Sequence, residues 1–192
     1  MAVNTRIAVT LLEPAASRDT RLVEQLTDLV NDVYTTAESG LWRAGFTRTT
    51  TSEIAELVAA GQVAVATIAD GVVVGSMQLR RISADTSEFG MLVADADHRG
   101  AGIGRTLLDF AERSSRDRGL RAIQLELLVP RGWQHPNKEF LKQWYGRRGF
   151  RRIDTRRMED THPQLAPLLA TSCDLEVHEK PLHVREPDRH AD

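Results

Sequence analysis

Three glycines at alternate positions form the segment of this sequence that is best suited to binding an anion. They lie in the run Arg99-Gly100-Ala101-Gly102-Ile103-Gly104, between a predicted strand and a predicted helix. Backbone N–H groups at the beginning of a helix point outward, where the helix dipole is positive, and can bind a phosphate. Glycine at Gly100 and Gly102 lets the backbone approach the anion without obstruction by a Cβ atom. The spacing therefore favours a phosphate or diphosphate site, although a tight strand–helix turn could use the same glycines.

Two familiar glycine-rich nucleotide loops do not fit this segment. A dinucleotide-binding fingerprint needs a third glycine three residues after the second, and Arg105 occupies that position. A P-loop needs Gly-Lys followed by Ser or Thr, which the sequence does not contain. A nucleotide-binding module of the dehydrogenase type is therefore disfavoured.

The rest of the sequence predicts the elements that position this loop. Hydrophobic alternation, turn residues and helix caps give the order β-α-α-β-β-β-α-β-α-β-β. The predicted strands are residues 6–12, 63–67, 72–79, 88–94, 121–129, 150–158 and 174–180. The predicted helices begin near residues 20, 51, 104 and 136, and a turn or short helix lies at 164–170. Strands joined by hairpins, and others joined through helices, imply a mixed sheet with helices on both faces.

Length and composition bound the class of protein. The 192 residues suit one α/β domain, which we assign to residues 1–182, followed by a tail at 183–192. The 25 basic and 27 acidic side chains, with 5% aromatic residues, argue against a nucleic-acid partner. Neither a membrane-spanning apolar run nor a signal-peptide pattern is present, so we expect a cytoplasmic protein without a membrane partner. The single Cys173 excludes a disulfide framework, and the scattered histidines do not suggest a metal site.

The glycine-rich run resembles the acyl-CoA-binding signature (Q/R)-x-x-G-x-(G/A) of the GCN5-related N-acetyltransferase (GNAT) superfamily. Arg99, Gly102 and Gly104 occupy its three defined positions. Residues 91–98 stand where the family has its central strand and the following turn, and residues 144–150 match the Y-x-x-x-G-F ending of its next helix. With the element order, the likeness covers nearly the whole chain. It implies a GNAT-type α/β fold, a mixed and mostly antiparallel seven-stranded sheet flanked by helices on both faces.

The resemblance implies an N-acetyltransferase that uses acetyl-CoA as co-substrate and no metal. A primary amine, on a small molecule or a peptide, would attack the thioester directly in a ternary complex. Members of the family are often homodimers, so a homodimer is compatible with the resemblance. The alternative is an acyl-CoA-binding sensor that has lost turnover, and the presence of Glu88 and Tyr145 argues against it.

These two side chains match the acid–base positions of the family. Glu88 lies eleven residues before Arg99, as in histone-type acetyltransferases of the superfamily, and would take a proton from the amine directly or through water. A base is useful because an amine with a pKa of ~10.4 is almost wholly protonated at neutral pH. Tyr145 lies four residues before Gly149-Phe150, where the family has its general acid, and would protonate the departing thiolate. Without the resemblance, the two residues would be interpreted as a solvent-facing strand residue and a core aromatic.

The remaining contacts that the resemblance implies come from backbone groups and one amide side chain. In the family, a freed N–H of the central strand binds the developing oxyanion, and the same backbone pairs with pantetheine, which implies Leu92, Val93 and Ala94 here. The diphosphate would bind to Arg99, Gly100, Ala101, Gly102, Ile103 and Gly104. Many members contact pantetheine through an Asn seven residues before the Tyr; Lys138 occupies that position here, so Asn137 is the candidate.

Two further groups of residues leave alternatives open. Six arginines near the last helix–strand junction form either a solvated edge or a patch that attracts the CoA 3′-phosphate or an acidic acceptor; they are Arg147, Arg148, Arg151, Arg152, Arg156 and Arg157. Trp133 and His135 follow a central strand, and Trp42 and Phe46 follow the first helix. Each pair is interpreted either as loop packing or as part of an acceptor pocket.

Overall fold

The computed structural model describes residues 6–183, and these contain a seven-stranded sheet. The strands are β1 (Ala8–Leu11), β2 (Val63–Thr67), β3 (Val73–Arg81), β4 (Thr86–Ala94), β5 (Ala122–Pro130), β6 (Arg151–Arg157) and β7 (Cys173–Pro181). The helices are α1 (Thr20–Ala37), α2 (Thr51–Ala59), α3 (Ile103–Asp117), α4 (Pro136–Arg147) and α5 (Met158–Thr161). Residues 184–192 of the predicted tail lie outside the described part of the chain, and the domain bounds stay a prediction.

The sheet is mixed and mostly antiparallel. Its strand order is β1-β2-β3-β4-β5-β7-β6, with β4 and β5 parallel. Every other neighbouring pair of described strands is antiparallel. The predicted order of elements and the predicted fold class are therefore confirmed. The position of β7 between β5 and β6 does not follow from local sequence, because it depends on contacts between distant parts of the chain.

Side-chain caps fix where the first two helices begin. The Asp19 carboxylate accepts a hydrogen bond from the N–H of Leu22 at 3.1 Å, at the N-terminus of α1. The Thr50 hydroxyl accepts one from the N–H of Glu53 at 3.2 Å, at the N-terminus of α2. Both helices begin near residues 20 and 51, as the sequence predicts. A full capping box would also have the Glu53 carboxylate accept from the N–H of Thr50. That carboxylate accepts instead from the Thr49 hydroxyl at 2.8 Å, so only the Thr50 half of the box forms.

The strands alternate between two helical layers. On β2, Val63 and Val65 pack against α1 and α2, whereas Ala64 and Ala66 pack in the cluster that contains α3 and α4. The alternation follows because successive side chains of a strand point to opposite faces. Helices α1 and α2 therefore cover one face of the sheet, and α3 and α4 cover the other.

Short helices account for the main difference from the predicted elements. Helix α5 begins at Met158, which was predicted as the end of a strand, and residues Ala166–Leu168 form a single 3-10 turn. None of the helices in residues 6–183 is long and apolar enough to cross a membrane.

Candidate active site

A β-bulge interrupts the pairing of β3 with β4. The register shifts at Met77, so that two residues of β4, Met91 and Leu92, lie opposite one residue of β3. Met91 has a φ of 46°, in the left-handed region that residues other than glycine rarely adopt. Because a bulge disrupts the ladder locally, it frees backbone hydrogen-bonding groups near Leu92.

Strands β4 and β5 separate after the first three residues of their pairing. Residues 86–88 pair with residues 122–124, and the described residues contain no further pair between the two strands. On its other edge, β5 pairs with β7 along its whole length. Residues 89–94 of β4 therefore present an unpaired edge toward β5. An extended ligand can hydrogen-bond to such an edge as an added strand.

A tight turn leads the chain from β4 into the glycine-rich loop. The Asp95 carboxylate accepts a hydrogen bond from the N–H of Asp97 at 3.0 Å, and its other oxygen lies 3.1 Å from His98 Nδ1. Gly100 and Gly102 follow, with φ of 84° and 83°. Glycine adopts this conformation without the steric cost that a Cβ atom would cause. The carboxylate fixes the turn, and the glycines supply the left-handed residues of the loop.

The loop presents free backbone donors. Within residues 99–104, the backbone N–H groups of Gly100, Gly102, Ile103 and Gly104 have no acceptor among the described residues. The last three lie at the beginning of α3, where N–H groups have no intrahelical partner. The amide of Ala101 is different, because it donates to the His98 carbonyl at 3.2 Å. Arg99 is exposed at the start of the loop, which is therefore well suited to an anion.

The loop adjoins both β4 and α4. A Cβ atom on Gly104 would lie 3.6 Å from Leu92 Cδ2 and 4.0 Å from Trp144 Cη2. The beginning of α3, the bulged strand and α4 therefore meet around Gly104. The side chain of Arg105 folds back over the loop, where its Nη2 would lie 3.5 Å from a Cβ atom on Gly102. Arg105 adds a positive charge beside the free amides.

Tyr145 lies on α4 within an aromatic cluster. Its side chain is 5% exposed, and its ring centroid lies 5.8 Å from that of Phe89 and 5.7 Å from that of Phe150. Gly149, with a φ of 93°, turns the chain so that Phe150 returns to the Tyr145 ring. Burial raises the pKa of Tyr145, and the nearby Tyr34 raises it further. The Tyr145 hydroxyl is therefore protonated at neutral pH.

Glu88 lies on β4 ahead of the bulge. Its Oε1 accepts hydrogen bonds from Arg80 Nη2 at 2.6 Å and from Arg80 Nε at 3.0 Å. Strand alternation gives Glu88 and Gly90 the same face, and the bulge adds Met91, which packs against α1. Met91 lies three positions after Glu88 along the strand, a distance of about 10 Å. Glu88 therefore shares a face with the bulge but is not adjacent to it.

A buried ion pair joins the C-terminus of α1 to the N-terminus of α4. Lys138 Nζ contacts Glu38 Oε1, and the two side chains are 5% and 6% exposed. The other oxygen of Glu38 accepts from Trp42 Nε1 at 2.6 Å. Asn137 Nδ2 donates to the Ala37 carbonyl at 3.1 Å. Lys138 is thus a structural residue, and the predicted pantetheine contact of Asn137 stays a prediction, with its amide nitrogen engaged in this junction.

Tyr34 is a site residue that the sequence pattern assigns only to the apolar stripe of α1. It packs with Met91 and Val93, and its hydroxyl faces the backbone of Met91 at the bulge. The guanidinium of Arg48 lies 5.2 Å from the centroid of its ring. Burial raises the pKa of Tyr34, and Arg48 opposes that increase. Helical spacing does not reveal this position, because core and site residues share one stripe.

A cavity of about 230 Å³ opens beside Tyr34, between the end of α1 and the segment that precedes α2. Trp42 and Phe46 line this cavity, and their rings stack with centroids 3.9 Å apart and planes inclined by 8°. Trp133 and His135 do not belong to its lining. Of the two aromatic pairs predicted as candidates for an acceptor pocket, Trp42 and Phe46 therefore line a cavity next to Tyr34.

Acidic partners neutralise most of the arginine cluster near β6. The pairs are Arg148 with Asp109, Arg152 with Glu176, Arg156 with Asp154 and Arg157 with Glu159. Strand β6 is at the edge of the sheet, and all its residues are exposed. Of the two interpretations left open by the sequence, these contacts favour the solvated edge over a free basic patch.

Comparison with known proteins decides the family. The sequence profile of the family described as "Acetyltransferase (GNAT) domain" matches residues 59–152, from the end of α2 to the beginning of β6. The chain belongs to the GNAT superfamily. The family membership predicted from the loop at residues 99–104 is therefore confirmed, and so is the predicted acyltransferase class. None of the curated proteins compared matches this GNAT sequence.

Solved structures show the same fold. A GNAT-family acetyltransferase from Staphylococcus aureus Mu50 has a TM-score of 0.63 at 15% identity, covering 93% of this chain and 100% of that chain. N-acetylglutamate synthase from Neisseria gonorrhoeae, complexed with coenzyme A and N-acetyl-glutamate, has a TM-score of 0.61 at 14% identity, covering 93% and 35%. The ribosomal-protein-S18-alanine N-acetyltransferase from Escherichia coli has a TM-score of 0.59 at 15% identity, covering 97% and 100%. At these identities the likeness establishes the GNAT fold.

Proposed function

We propose that this GNAT protein transfers an acetyl group from acetyl-CoA to the primary amine of an acceptor, by direct attack in a ternary complex. The observation that carries the proposal is the convergence around Gly104 of the bulged β4 edge, the free amides at the beginning of α3, and α4, which carries Tyr145. Two of the similar structures are named for N-acetylation, one of glutamate and one of an alanine on a ribosomal protein. Their names support an amine acceptor.

The residues of the loop and the strand edge fit acetyl-CoA, which supplies the acetyl group activated as a thioester. The free amides at Gly100 and at 102–104 would bind the diphosphate, with Arg105 adding charge. The backbone of Leu92, Val93 and Ala94, on the unpaired edge, would hydrogen-bond to the pantetheine arm. Asn137 would contribute its Oδ1, because its Nδ2 donates to a carbonyl of α1.

The residues around the bulge would then perform the transfer. A backbone N–H near Leu92 donates to the acetyl oxygen, where negative charge develops as the new N–C bond forms. Tyr145 donates its proton to the sulfur as the C–S bond breaks, and burial keeps it protonated until that point. The proton of the amine passes through water to Glu88, since about 10 Å of strand separates Glu88 from the bulge. Arg80 holds the Glu88 carboxylate in place.

Release of free CoA thiol across a panel of primary amines tests the proposal. Tyr145→Phe should lower kcat by about 10²–10⁴-fold with little change in the KM for acetyl-CoA, because only the proton donor is removed. Glu88→Gln should lower kcat/KM for the amine. Since burial raises the pKa of Tyr145, ionisation of this group should not reduce kcat between pH 7 and about 10. Circular dichroism of each variant controls for folding.

Two outcomes would contradict this account. Binding of acetyl-CoA without thiol release for any amine would refute transferase activity and support the non-catalytic acyl-CoA-binding module. An unchanged kcat for folded Tyr145→Phe would remove the acid role of Tyr145 while leaving the transferase itself intact.

A further inference from the structure

The cavity beside Tyr34 carries two arginines without an acidic partner. Arg43 and Arg48 both line it, and within the described residues neither has a carboxylate oxygen within 4.0 Å of its side-chain nitrogens. Among the lining residues, all of which the structure describes, the acidic one is Glu38. Its carboxylate is paired with the buried Lys138. The lining therefore has a net positive charge.

Hydrogen bonds hold the segment that carries these arginines at both of its ends. The N–H of Arg43 donates to the Leu168 carbonyl at 2.8 Å, and its Nε donates to the Leu169 carbonyl at 3.1 Å. At the other end, the Asn31 side chain exchanges two hydrogen bonds with the backbone of Thr49, at 3.0 and 3.1 Å. The terminal nitrogens of Arg43 make no hydrogen bond within the described residues. The guanidinium is thus fixed at one nitrogen and free to bind an anion with the others.

Tyr34 connects the lining of this cavity to the bulge of β4. Tyr34 lines the cavity and also packs against Met91 and Val93. Arg48 also lines the cavity, and its guanidinium lies 5.2 Å from the centroid of the Tyr34 ring. In the proposed complex, a ligand whose anionic group contacts the arginines would extend past Tyr34 toward the bulge, where the thioester is proposed to lie.

The aromatic residues of the cavity limit the size and character of such a ligand. Trp42 is fixed by its hydrogen bond to Glu38 at 2.6 Å and by stacking on Phe46 at 3.9 Å. The volume of about 230 Å³ is below the roughly 300–1,000 Å³ of pockets that hold drug-sized ligands. The cavity therefore suits a molecule of amino-acid size with an apolar part.

We propose that the acceptor is a small amine that carries a carboxylate, such as a free amino acid, and that Arg43 and Arg48 bind this carboxylate. Arginine suits the role because its guanidinium forms strong, often paired hydrogen bonds with a carboxylate. The inference rests on the transferase function proposed above, since it names the substrate class of that site. It makes Arg43 and Arg48 specificity-determining residues, with no part in the proton transfers.

The test compares amino acids with their decarboxylated amines: phenylalanine with 2-phenylethylamine, tryptophan with tryptamine, and alanine with ethylamine. The wild-type kcat/KM for the preferred amino acid should exceed that of its partner amine by at least about tenfold. Arg43→Gln should raise the KM for the amino acid about tenfold and leave kcat/KM for the partner amine unchanged. Arg43→Lys should restore part of the loss, because it retains the charge. Arg21→Gln, which removes an exposed charge at the other end of α1, is the matched control and should change neither value.

A binding measurement separates failure of this inference from failure of the proposed function. Calorimetric titration of the same amino acids and amines into the protein saturated with CoA needs no turnover. Arg43-dependent binding of an amino acid without acetylation of any amine would support the carboxylate site and refute the transferase proposal. Equal values within every pair, equal effects of Arg43→Gln on both members of a pair, or no binding by any amino acid of the panel would overturn the inference.

Discussion

The buried ion pair between Glu38 and Lys138 should be critical for stability near the site. The substitution Lys138→Met leaves the Glu38 carboxylate in a position where its side chain is 6% exposed, with Trp42 Nε1 as its remaining partner. Removing one partner of a buried pair costs about 3–5 kcal/mol, because an uncompensated charge stays buried. For a domain of this size, that loss lowers Tm by roughly 6–20 °C.

Urea denaturation of a double-mutant cycle measures this effect. The double variant Glu38→Gln/Lys138→Met carries no buried charge, and the introduced amide oxygen can still accept from Trp42. We therefore expect its loss in free energy of unfolding to be smaller than the summed losses of the two single variants by about 1–3 kcal/mol. Arg157→Met is the control, because its pair with Glu159 spans 3.8 Å and the two side chains are 65% and 39% exposed. It should cost less than about 1 kcal/mol.

A free energy of unfolding of Lys138→Met within about 1 kcal/mol of the wild-type value would contradict this expectation, and so would additive effects of the two substitutions. The same cycle can be followed through the acceptor KM. Because Glu38 also holds Trp42, we expect the single variants to raise that KM and Arg157→Met to leave it unchanged.

Two further predictions concern packing beneath the loop and the lone thiol. A Cβ atom on Gly75 would lie 2.5 Å from Ile103 Cγ2 and 2.8 Å from the Val93 carbonyl oxygen, so Gly75→Ala should cost about 1–3 kcal/mol and weaken acetyl-CoA binding. Gly90→Ala, where the nearest atom would be 3.9 Å away, is the matched control; similar urea midpoints and calorimetric affinities for the two variants would contradict the prediction. Burial raises the pKa of Cys173 to about 11, so at pH 8 the folded protein should not react with Ellman's reagent. The denatured chain should react and release one equivalent of thionitrobenzoate. Rapid reaction of the folded protein would show that Cys173 is accessible.

Local signals in the sequence were sufficient to predict most of the elements. The caps at Asp19 and Thr50 act through contacts within a few residues, and helices α1 and α2 begin near residues 20 and 51 as predicted. The order of β6 and β7 in the sheet, by contrast, depends on pairing between strands that the sequence separates by a turn region. Such pairing has no local signature.

The candidate site shows the same division between local and distant interactions. The loop at 99–104 could be recognised because its glycines act through their own backbone. The pair Glu38–Lys138 joins residues 100 positions apart, and a lone Glu at the end of a helix gives no indication of its partner. The sequence does not identify Tyr34 as a site residue, because the apolar stripe that packs α1 on the sheet also reaches the bulge.

The central claim is that the amides of the loop at 99–104 bind the diphosphate of acetyl-CoA. Titration of acetyl-CoA into [15N]glycine-labelled protein, followed by amide NMR, tests it at single residues. The account predicts that the amide signals of Gly100, Gly102 and Gly104 shift together and saturate, while those of Gly61 and Gly119, at distant helix ends, stay in place. Saturable binding of acetyl-CoA with the three loop signals unmoved would contradict the account.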